Sequence, residues 1–442
     1  MLELEITLSL MQKIYDRENW LLKIFFNYIQ YMKQPLVFSF PEILLKIINP
    51  HGVDQVEDVS DVEPFGRMEY GAELEAKNRA LAEFWKKNRL HGSPQQIIAS
   101  PLPRFYRTTT KRRVFFSHNK FRLRFSHHKN DDGALHLASD LEPREHDAIY
   151  RFILEKINTP GFSHAAKHLT YIIIRGSYTE FCVLFNVANV NGTIVRNLKV
   201  LGENLRKFDD KIISAFIFHD PTRSEYYLDN KQSGGAWKIK NLFGPDTLKL
   251  KVLDQTYRYD PVSFSQINQS ILPQMLDTIS RLCAPKPGKR FIDLYCGYGL
   301  FTNYVGKRFG EVYGIDFDDA SVERGRETAR FTAQKSPHPA RMYFRTAGIN
   351  VSSLEALLPI AGPGEETILL DPPRQGPGMG VVRLCAQRSA SRIVHIFCNI
   401  DRIPADLDEW QRYGYRVSQV APLDMFPGTP NLEVAVLLEP MR

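Results

Sequence analysis

The feature that most constrains the fold of this 442-residue chain is an alternation that begins at about Tyr257. Short, almost continuously apolar segments take turns with segments patterned as helices. Strands with this composition are typical of parallel sheets that are covered on both faces. Alternating strands and helices therefore predict an α/β protein with a doubly wound sheet. The predicted strands include RFIDL, EVYGID, RMYFRT, ETILLD and RIVHIF.

A glycine-rich loop follows the first of these strands and opens a helix. In the segment DLYCGYG, Gly297 and Gly299 would let the backbone approach a ligand closely. A dinucleotide fingerprint would need a further glycine where Thr302 stands. Asp316 ends the next strand, at a position suited to holding ribose hydroxyls. The alternatives are that the loop has this pattern by chance or binds another nucleotide, and that Asp316 caps a helix.

A cysteine ends the apolar run Ile393 to Phe397. Open parallel sheets bind their ligands in the crevice beyond the carboxyl ends of the strands, and Cys398 occupies such a position. Our hypothesis is that Cys398 is a nucleophile. The alternative is a small buried hydrophobic residue, which is the more frequent role of a lone cysteine.

Composition narrows the class of protein. The five cysteines form no CxxC pair, which disfavours a disulfide framework, a metal site and an iron–sulfur cluster, and favours a reducing cytoplasm. The N-terminus carries Glu3 and Glu5 where a secretory signal is basic, and the apolar stretch 20–31 is too short to span a membrane. We therefore expect a cytoplasmic protein without membrane contact. The formal charge of +7 suggests an anionic partner.

The length predicts two or three domains. Residues 1–45 and 68–91 have helical patterning, and residues 51–66 are acidic and turn-rich. We predict a helical N-terminal extension over 1–95, a central α/β domain over 96–257 and the doubly wound domain over 258–442.

Residues 101–129 contain nine lysines and arginines and no acidic residue. Around residue 123, Phe121, Leu123 and Phe125 alternate with Arg122 and Arg124, which predicts a strand with one apolar and one cationic face. Such a face suits phosphates and unstacked bases. The alternative is an ordinary solvated sheet face.

Five motifs in one order resemble the RNA uracil-5-methyltransferase family. They are FSQIN (264–268), DLYCGYGLF (293–301), LLDPPRQGPG (369–378), HIFCN (395–399) and DMFPGTPNLE (424–433). The resemblance is strong over about 258–442, weaker over 98–257 and absent over 1–95. It implies a Rossmann-like methyltransferase domain, S-adenosylmethionine as cofactor, and a structured transfer or ribosomal RNA as substrate. We also expect a monomer.

The resemblance also implies residue roles. Cys398 would be the nucleophile, Glu433 the base that removes a proton, and Arg374 the group that steadies the target base. From the residues alone, Glu433 could be a solvated strand residue and Arg374 could cap a turn. The implied cofactor contacts are Gln266, Tyr295, Gly297, Gly299, Asp316 and Asp371. The arginines that we assign to RNA are Arg107, Arg112, Arg113, Arg122 and Arg124.

The chain departs from the family pattern in several places. Asn431 stands where a histidine is frequent, Asp316 where glutamate is common, and Leu300 where many members have asparagine. The four-cysteine cluster of many relatives is absent, and no N-terminal RNA-binding barrel is evident. Two alternative functions stay open: a cytosine-5 enzyme, disfavoured because Phe397 rather than proline precedes Cys398, and a non-catalytic RNA-binding relative.

Overall fold

The computed structural model describes residues 38–49, 63–125, 139–224, 238–334, 338–360 and 362–441. Most of the predicted helical segment 1–45 and most of the predicted linker 51–66 lie outside these residues. The described N-terminal part contains helices α1 (Phe40–Ile48) and α2 (Tyr70–Lys87). Their apolar faces meet, with the rings of Phe40 and Phe84 at 6.3 Å. Both rings belong to one core with residues of the C-terminal sheet domain, so these helices pack as part of that domain.

The central region contains a six-stranded sheet in the order β2-β1-β3-β4-β5-β6, antiparallel except between β4 and β5. Strands β3 and β4 form a hairpin that turns after Gly176. The predicted period of two around residue 123 is confirmed, because Phe121, Leu123 and Phe125 are buried. The strands are β1 (Thr110–Ser117), β2 (Lys120–Phe125), β3 (Leu169–Gly176), β4 (Phe181–Val187), β5 (Ile212–His219) and β6 (Ile239–Phe243); the helices are α3 (Arg144–Ile157), α4 (Ser163–Ala166) and α5 (Gly192–Phe208).

The two faces of this central sheet have different neighbours. On one face, Ile172, Ile174 and Val183 pack against apolar residues of α3 and α5. On the other face, Tyr171 and Ile173 share a core with the C-terminal domain. The central sheet is therefore a layer between its own helices and the C-terminal domain.

Strands β7 (Leu248–Val252) and β8 (Gln255–Tyr259) pair only with each other among the described residues. Most of this segment falls within the predicted central domain, 96–257. Its alternate residues, such as Leu250 and Tyr257, are buried in the core that the central sheet shares with the C-terminal domain. The segment therefore packs at the junction of the two.

The C-terminal domain contains a seven-stranded sheet in the order β11-β10-β9-β12-β13-β15-β14, which confirms the predicted doubly wound architecture. The five strands from β11 to β13 are parallel, and β15 is antiparallel to both of its neighbours. The strands are β9 (Arg290–Leu294), β10 (Glu311–Asp316), β11 (Arg341–Thr346), β12 (Glu366–Leu370), β13 (Arg392–Phe397), β14 (Tyr415–Leu423) and β15 (Glu433–Pro440). The helices are α6 (Leu272–Cys283), α7 (Leu300–Tyr304), α8 (Asp319–Ala333), α9 (Val351–Leu357), α10 (Val381–Gln387) and α11 (Ile403–Arg412).

This topology concentrates polar residues at one edge. The parallel strands β9, β10, β12 and β13 all end there, and the antiparallel strand β15 begins there. Ligands of open α/β sheets bind at such an edge. Within the described parts of the chain, no helix has the length and apolar character needed to cross a bilayer.

Candidate active site

Strand pairing brings Cys398 and Glu433 together although 34 residues lie between them. In the antiparallel ladder of β13 and β15, Phe397 lies opposite Val434. Extending the same register by one residue sets Cys398 opposite Glu433. Directly opposite residues of an antiparallel pair lie about 4.5–5.5 Å apart at Cβ. The sulfur and the carboxyl group therefore converge on the same edge of the sheet.

Cys398 is half-buried, whereas the other four cysteines of the chain are buried. Its Sγ lies 3.9 Å from the carbonyl oxygen of Pro372. Burial raises the pKa of the thiol to about 12, and the negative charges of Asp371 and Glu433 add to that effect, while Arg374 opposes it. The thiol therefore reaches the surface in a negative environment and needs a compensating positive charge to ionise readily.

Glu433 is buried, with 4% of its surface exposed, so the alternative of a solvated strand residue is wrong. Burial raises its pKa well above the usual range, and the charge of Asp371 raises it further. Its Oε2 has no hydrogen-bond partner among the described residues. An unpaired buried carboxyl oxygen is costly, and such groups concentrate at functional sites.

Arg374 reaches the same edge from the loop after β12. Its guanidinium donates a hydrogen bond of 2.9 Å to Oδ1 of Asn431, and its carbonyl oxygen accepts one of 3.2 Å from Asn399, the residue after Cys398. Asn431, the departure from the family pattern, thus holds Arg374 with its amide oxygen. The interpretation of Arg374 as a mere turn cap does not account for this contact.

The glycine loop has a strained backbone. Tyr295, Gly297 and Gly299 all have left-handed φ angles, of 67°, 51° and 77°. A Cβ on Gly299 would lie 2.7 Å from Nδ2 of Asn303, whereas one on Gly297 would meet no atom within 4 Å. Gly299 is therefore required by packing, while Gly297 faces open space in which a ligand can approach the backbone.

Three carboxyl groups lie at the ends of β9, β10 and β12. Burial raises the pKa of Asp293 to about 8 and that of Asp371 to about 7, and the charge of Asp316 raises both. Burial also raises the pKa of Asp316, whose Oδ2 accepts a 2.9 Å hydrogen bond from the Gly297 amide. None of the three forms an ion pair with a described lysine or arginine. The pocket therefore favours a ligand that carries positive charge and hydroxyl groups.

Gln266 is buried in the segment that precedes α6. This segment is tied to the end of β10 because Ser263 donates a 2.8 Å hydrogen bond to Asp318. The sequence prediction missed two aromatic residues in these segments, Phe264 and Phe317, which are 58% and 61% exposed. The available sequence signal was a phenylalanine within two residues of a predicted ligand residue, Gln266 or Asp316.

Leu300 does not face the pocket. It is 5% exposed, and it packs in the core with Phe301 and Tyr257. The replacement of asparagine by leucine therefore adds a core residue at the start of α7.

The predicted RNA-binding arginines divide into two groups. Arg113 is exposed, and Arg122 and Arg124 are half-exposed on the same face of the β1–β2 hairpin. Arg107 is half-buried in the segment before β1. Arg113 lies opposite Tyr171, so this cationic face lies on the side of the sheet that faces the C-terminal domain.

The prediction that Arg112 binds RNA is wrong. Its side chain points to the opposite face, is buried, and forms two hydrogen bonds with Glu142, of 3.0 and 2.6 Å. The guanidinium also stacks 3.7 Å from the ring of Phe125. Adjacent residues of a strand point to opposite faces, so Arg112 and Arg113 cannot both be exposed on this sheet.

The sheet order and the polar edge are those of the Rossmann-like methyltransferase fold. Residues 234–441 match the family model described as tRNA (Uracil-5-)-methyltransferase. This segment, slightly less than half of the chain, is therefore similar to the RNA uracil-5-methyltransferase family.

Two curated RNA methyltransferases resemble parts of the chain in sequence. The 23S rRNA (uracil(1939)-C(5))-methyltransferase RlmD of Alkalilimnicola ehrlichii is 36% identical over 176 residues, which are 40% of this chain and 38% of that protein. An uncharacterized RNA methyltransferase of Lactococcus lactis, YljE, is 26% identical over 301 residues, 66% of this chain and 61% of that protein. The chain thus matches less than two thirds of the length of either relative.

A similar fold has been solved. The crystal structure of the Pyrococcus abyssi tRNA (uracil-54, C5)-methyltransferase in complex with S-adenosyl-L-homocysteine superimposes with a TM-score of 0.57. The superposition covers 86% of this chain and 87% of the Pyrococcus abyssi chain, at 21% sequence identity. This likeness supports the Rossmann-like methyltransferase fold.

Proposed function

We propose that the protein transfers a methyl group from S-adenosylmethionine to carbon 5 of a uridine in a structured transfer or ribosomal RNA, through a covalent bond between Cys398 and carbon 6. The observation that carries the proposal is that a half-buried cysteine follows β13 and a buried glutamate, whose Oε2 lacks a hydrogen-bond partner among the described residues, begins the neighbouring antiparallel strand β15, beside three buried acidic side chains. The names of the relatives add weight to it.

The chemistry explains why both groups are needed. Carbon 5 of uracil is a weak nucleophile. When the Cys398 thiolate bonds to carbon 6, the electron pair of the 5,6 double bond moves to carbon 5 and the carbonyl oxygen as an enolate. Carbon 5 could then form its bond to the sulfonium methyl group of a bound S-adenosylmethionine, whose methyl–sulfur bond would break with the electron pair staying on the sulfur. Glu433 takes the proton from carbon 5, and the returning electron pair restores the double bond as the carbon–sulfur bond breaks.

Arg374 has a positioning and electrostatic role in this proposal. It partly offsets the rise in the pKa of the Cys398 thiol, and its guanidinium is held by Asn431. A guanidinium at this point also favours the negative charge that develops on the enolate oxygen. The target uracil has to leave its base stack to reach the thiol, so we expect a flipped nucleotide.

The acidic pocket fits the cofactor. Asp316 and Asp371 would hold hydroxyl and amino groups, Gln266, Tyr295, Gly297 and Gly299 would line the site, and the exposed rings of Phe264 and Phe317 offer apolar surface for a base. S-adenosylmethionine would supply an electrophilic methyl group there. Burial, and after it the charges of neighbouring carboxylates, raise the pKa values of Cys398 and Glu433, so positive charge in this pocket would favour the ionised form of both.

The remaining proposals concern partners and setting. Arg107, Arg113, Arg122 and Arg124 are proposed to contact RNA phosphates. We further propose a monomer that acts in the cytoplasm without an iron–sulfur cluster, supported by five cysteines that form no CxxC pair. Among the described residues, no group of histidine, cysteine and acidic side chains could hold a metal ion.

The test is methyl transfer from radiolabelled S-adenosylmethionine to RNA from cells that lack the gene. Wild-type protein should form 5-methyluridine at one mapped position, and Cys398→Ala should form none. Glu433→Gln should accumulate a covalent protein–RNA complex, because the adduct cannot lose its proton. Cys385→Ala, which changes a buried cysteine of α10, is the matched control and should keep activity. Full activity of Cys398→Ala would refute the mechanism.

A further inference from the structure

A notch opens in the central sheet at a distance from the reacting groups. Strand β1 pairs with β2 through Ser117, but it pairs with β3 only from Thr110 to Arg113. Beyond Arg113 the strands separate, and a cavity of about 340 Å³ lies between them. We call this cavity the hairpin notch; residues 113–116, Phe121, residues 166–170 and Arg223 line it.

The rim of the hairpin notch is cationic. Arg113, Lys167 and Arg223 are exposed and His168 is half-buried, and no acidic residue lines the cavity. None of these four side chains forms an ion pair with another described residue. Uncompensated positive charge around a concave surface attracts an anion such as a phosphate.

The electrostatic state of His168 agrees with this arrangement. Its pKa is lowered, first by burial and then by the positive charges of His164, Arg223 and Lys167. The cationic groups are therefore close enough to repel one another. A bound anion would relieve that repulsion.

The notch also presents an aromatic surface. Because the notch lies between strands, residues from both faces of β1 line it, with Arg113 on one face and Phe116 on the other. Phe116 is 62% exposed, and its ring packs edge-on against Phe121 at 5.1 Å. Exposed aromatic rings beside positive charge are the combination that binds single-stranded nucleic acid, because bases stack on the rings while phosphates pair with the cations.

The notch lies about one strand length from the proposed cofactor site. Thr108 donates a 2.9 Å hydrogen bond to the carbonyl of Ile267, next to the proposed cofactor residue Gln266. From there β1 leads outward to Phe116, eight residues further on, which corresponds to about 25 Å of extended strand. A ligand that reaches both places must be longer than one nucleotide.

We propose that the hairpin notch is a binding site for an unpaired RNA nucleotide other than the methylated uridine, with its phosphate on the Arg113–Lys167–Arg223 rim and its base against Phe116. This inference rests on the proposed function for its choice of RNA as ligand. It adds a requirement to the substrate: an accessible single-stranded nucleotide at a distance from the target.

The test compares two triple variants of the full chain by fluorescence anisotropy with a labelled oligouridylate of about a dozen nucleotides. Arg113→Glu/Lys167→Glu/Arg223→Glu should raise the dissociation constant at least about tenfold and flatten its salt dependence. The control variant Arg196→Glu/Lys199→Glu/Arg206→Glu makes the same charge change on the exposed surface of α5. It should raise the dissociation constant less than about threefold.

Stacking is tested separately. Phe116→Ala should weaken binding at least about fivefold, as loss of a base–aromatic contact does. Equal weakening by the two triple variants would overturn the site, and an unchanged Phe116→Ala variant would overturn the assignment of the base. The assay reads binding alone, so wild-type protein that methylates RNA while the notch variants bind normally would refute the notch and leave the proposed function standing.

Discussion

A buried lysine links the N-terminal helices to the loop that leads into Glu433. Lys77 of α2 is fully buried, and its Nζ lies 2.8 Å from Oε1 of Glu73 and 2.9 Å from Oδ1 of Asp424. Glu73 also accepts a 2.6 Å hydrogen bond from the amide of Gly428. Replacing Lys77 by methionine keeps the approximate length of the side chain but removes the cation that the buried carboxyl groups of Glu73 and Asp424 share.

The structure sets the size of this effect. Removing one partner of a buried ion pair costs about 3–5 kcal/mol because an uncompensated charge stays buried. Asp424 keeps a 3.1 Å hydrogen bond from Tyr70, and Glu73 keeps a 3.3 Å contact with Arg104, so we expect a value near the lower end, about 3 kcal/mol. Protonation of Asp424, whose pKa burial already raises, limits the loss further.

The same helix provides a matched control. Lys87 pairs with Glu83 at the same four-residue spacing, but both side chains are 40% exposed. Exposed pairs of this kind contribute at most about 0.5 kcal/mol. Urea denaturation followed by tryptophan fluorescence should show a large loss for Lys77→Met and almost none for Lys87→Met. Similar losses in the two variants would refute the argument.

Three further predictions follow from single contacts. Asp371→Asn removes a negative charge that, after burial, raises the Cys398 pKa, so alkylation of the cofactor-free protein by iodoacetamide at pH 9 should be faster than in wild type; an unchanged rate would contradict this. Arg112→Ala should cost about 3–5 kcal/mol of stability in thermal denaturation, whereas Arg113→Ala should cost less than about 0.5 kcal/mol. Gly299→Ala should cost about 1–3 kcal/mol in the same assay because the added Cβ overlaps its neighbours, and a neutral effect would mean that the loop moves freely.

The doubly wound sheet was predictable because its signals are local. Each buried parallel strand is a short apolar run, and the glycine loop follows such a run directly. The same rule of alternation applies to Arg112 and Arg113. Two consecutive arginines in a strand point to opposite faces, so only one of them can lie on the cationic face. The buried partner Glu142, thirty positions away, was not predictable from sequence spacing.

Long-range register was beyond local reasoning. Alternation along β15 alone suggested a solvated Glu433, but this strand lies between β13 and β14 and its first side chain is buried at the site. The convergence of Glu433 and Cys398 came from the family resemblance, and the strand register accounts for it physically. The attachment of α2 through Lys77 and Asp424 had no sequence signal, because 346 residues separate the two.

The most direct test of the central claim is trapping of the covalent bond. RNA that contains 5-fluorouridine at the target position can accept the thiolate and the methyl group, but fluorine cannot leave as a proton does. Incubation with wild-type protein and S-adenosylmethionine should give a stable complex, and mass spectrometry of its peptides should locate the nucleotide on Cys398. A complex through another residue, or no complex with RNA whose unsubstituted form is methylated, would contradict the account.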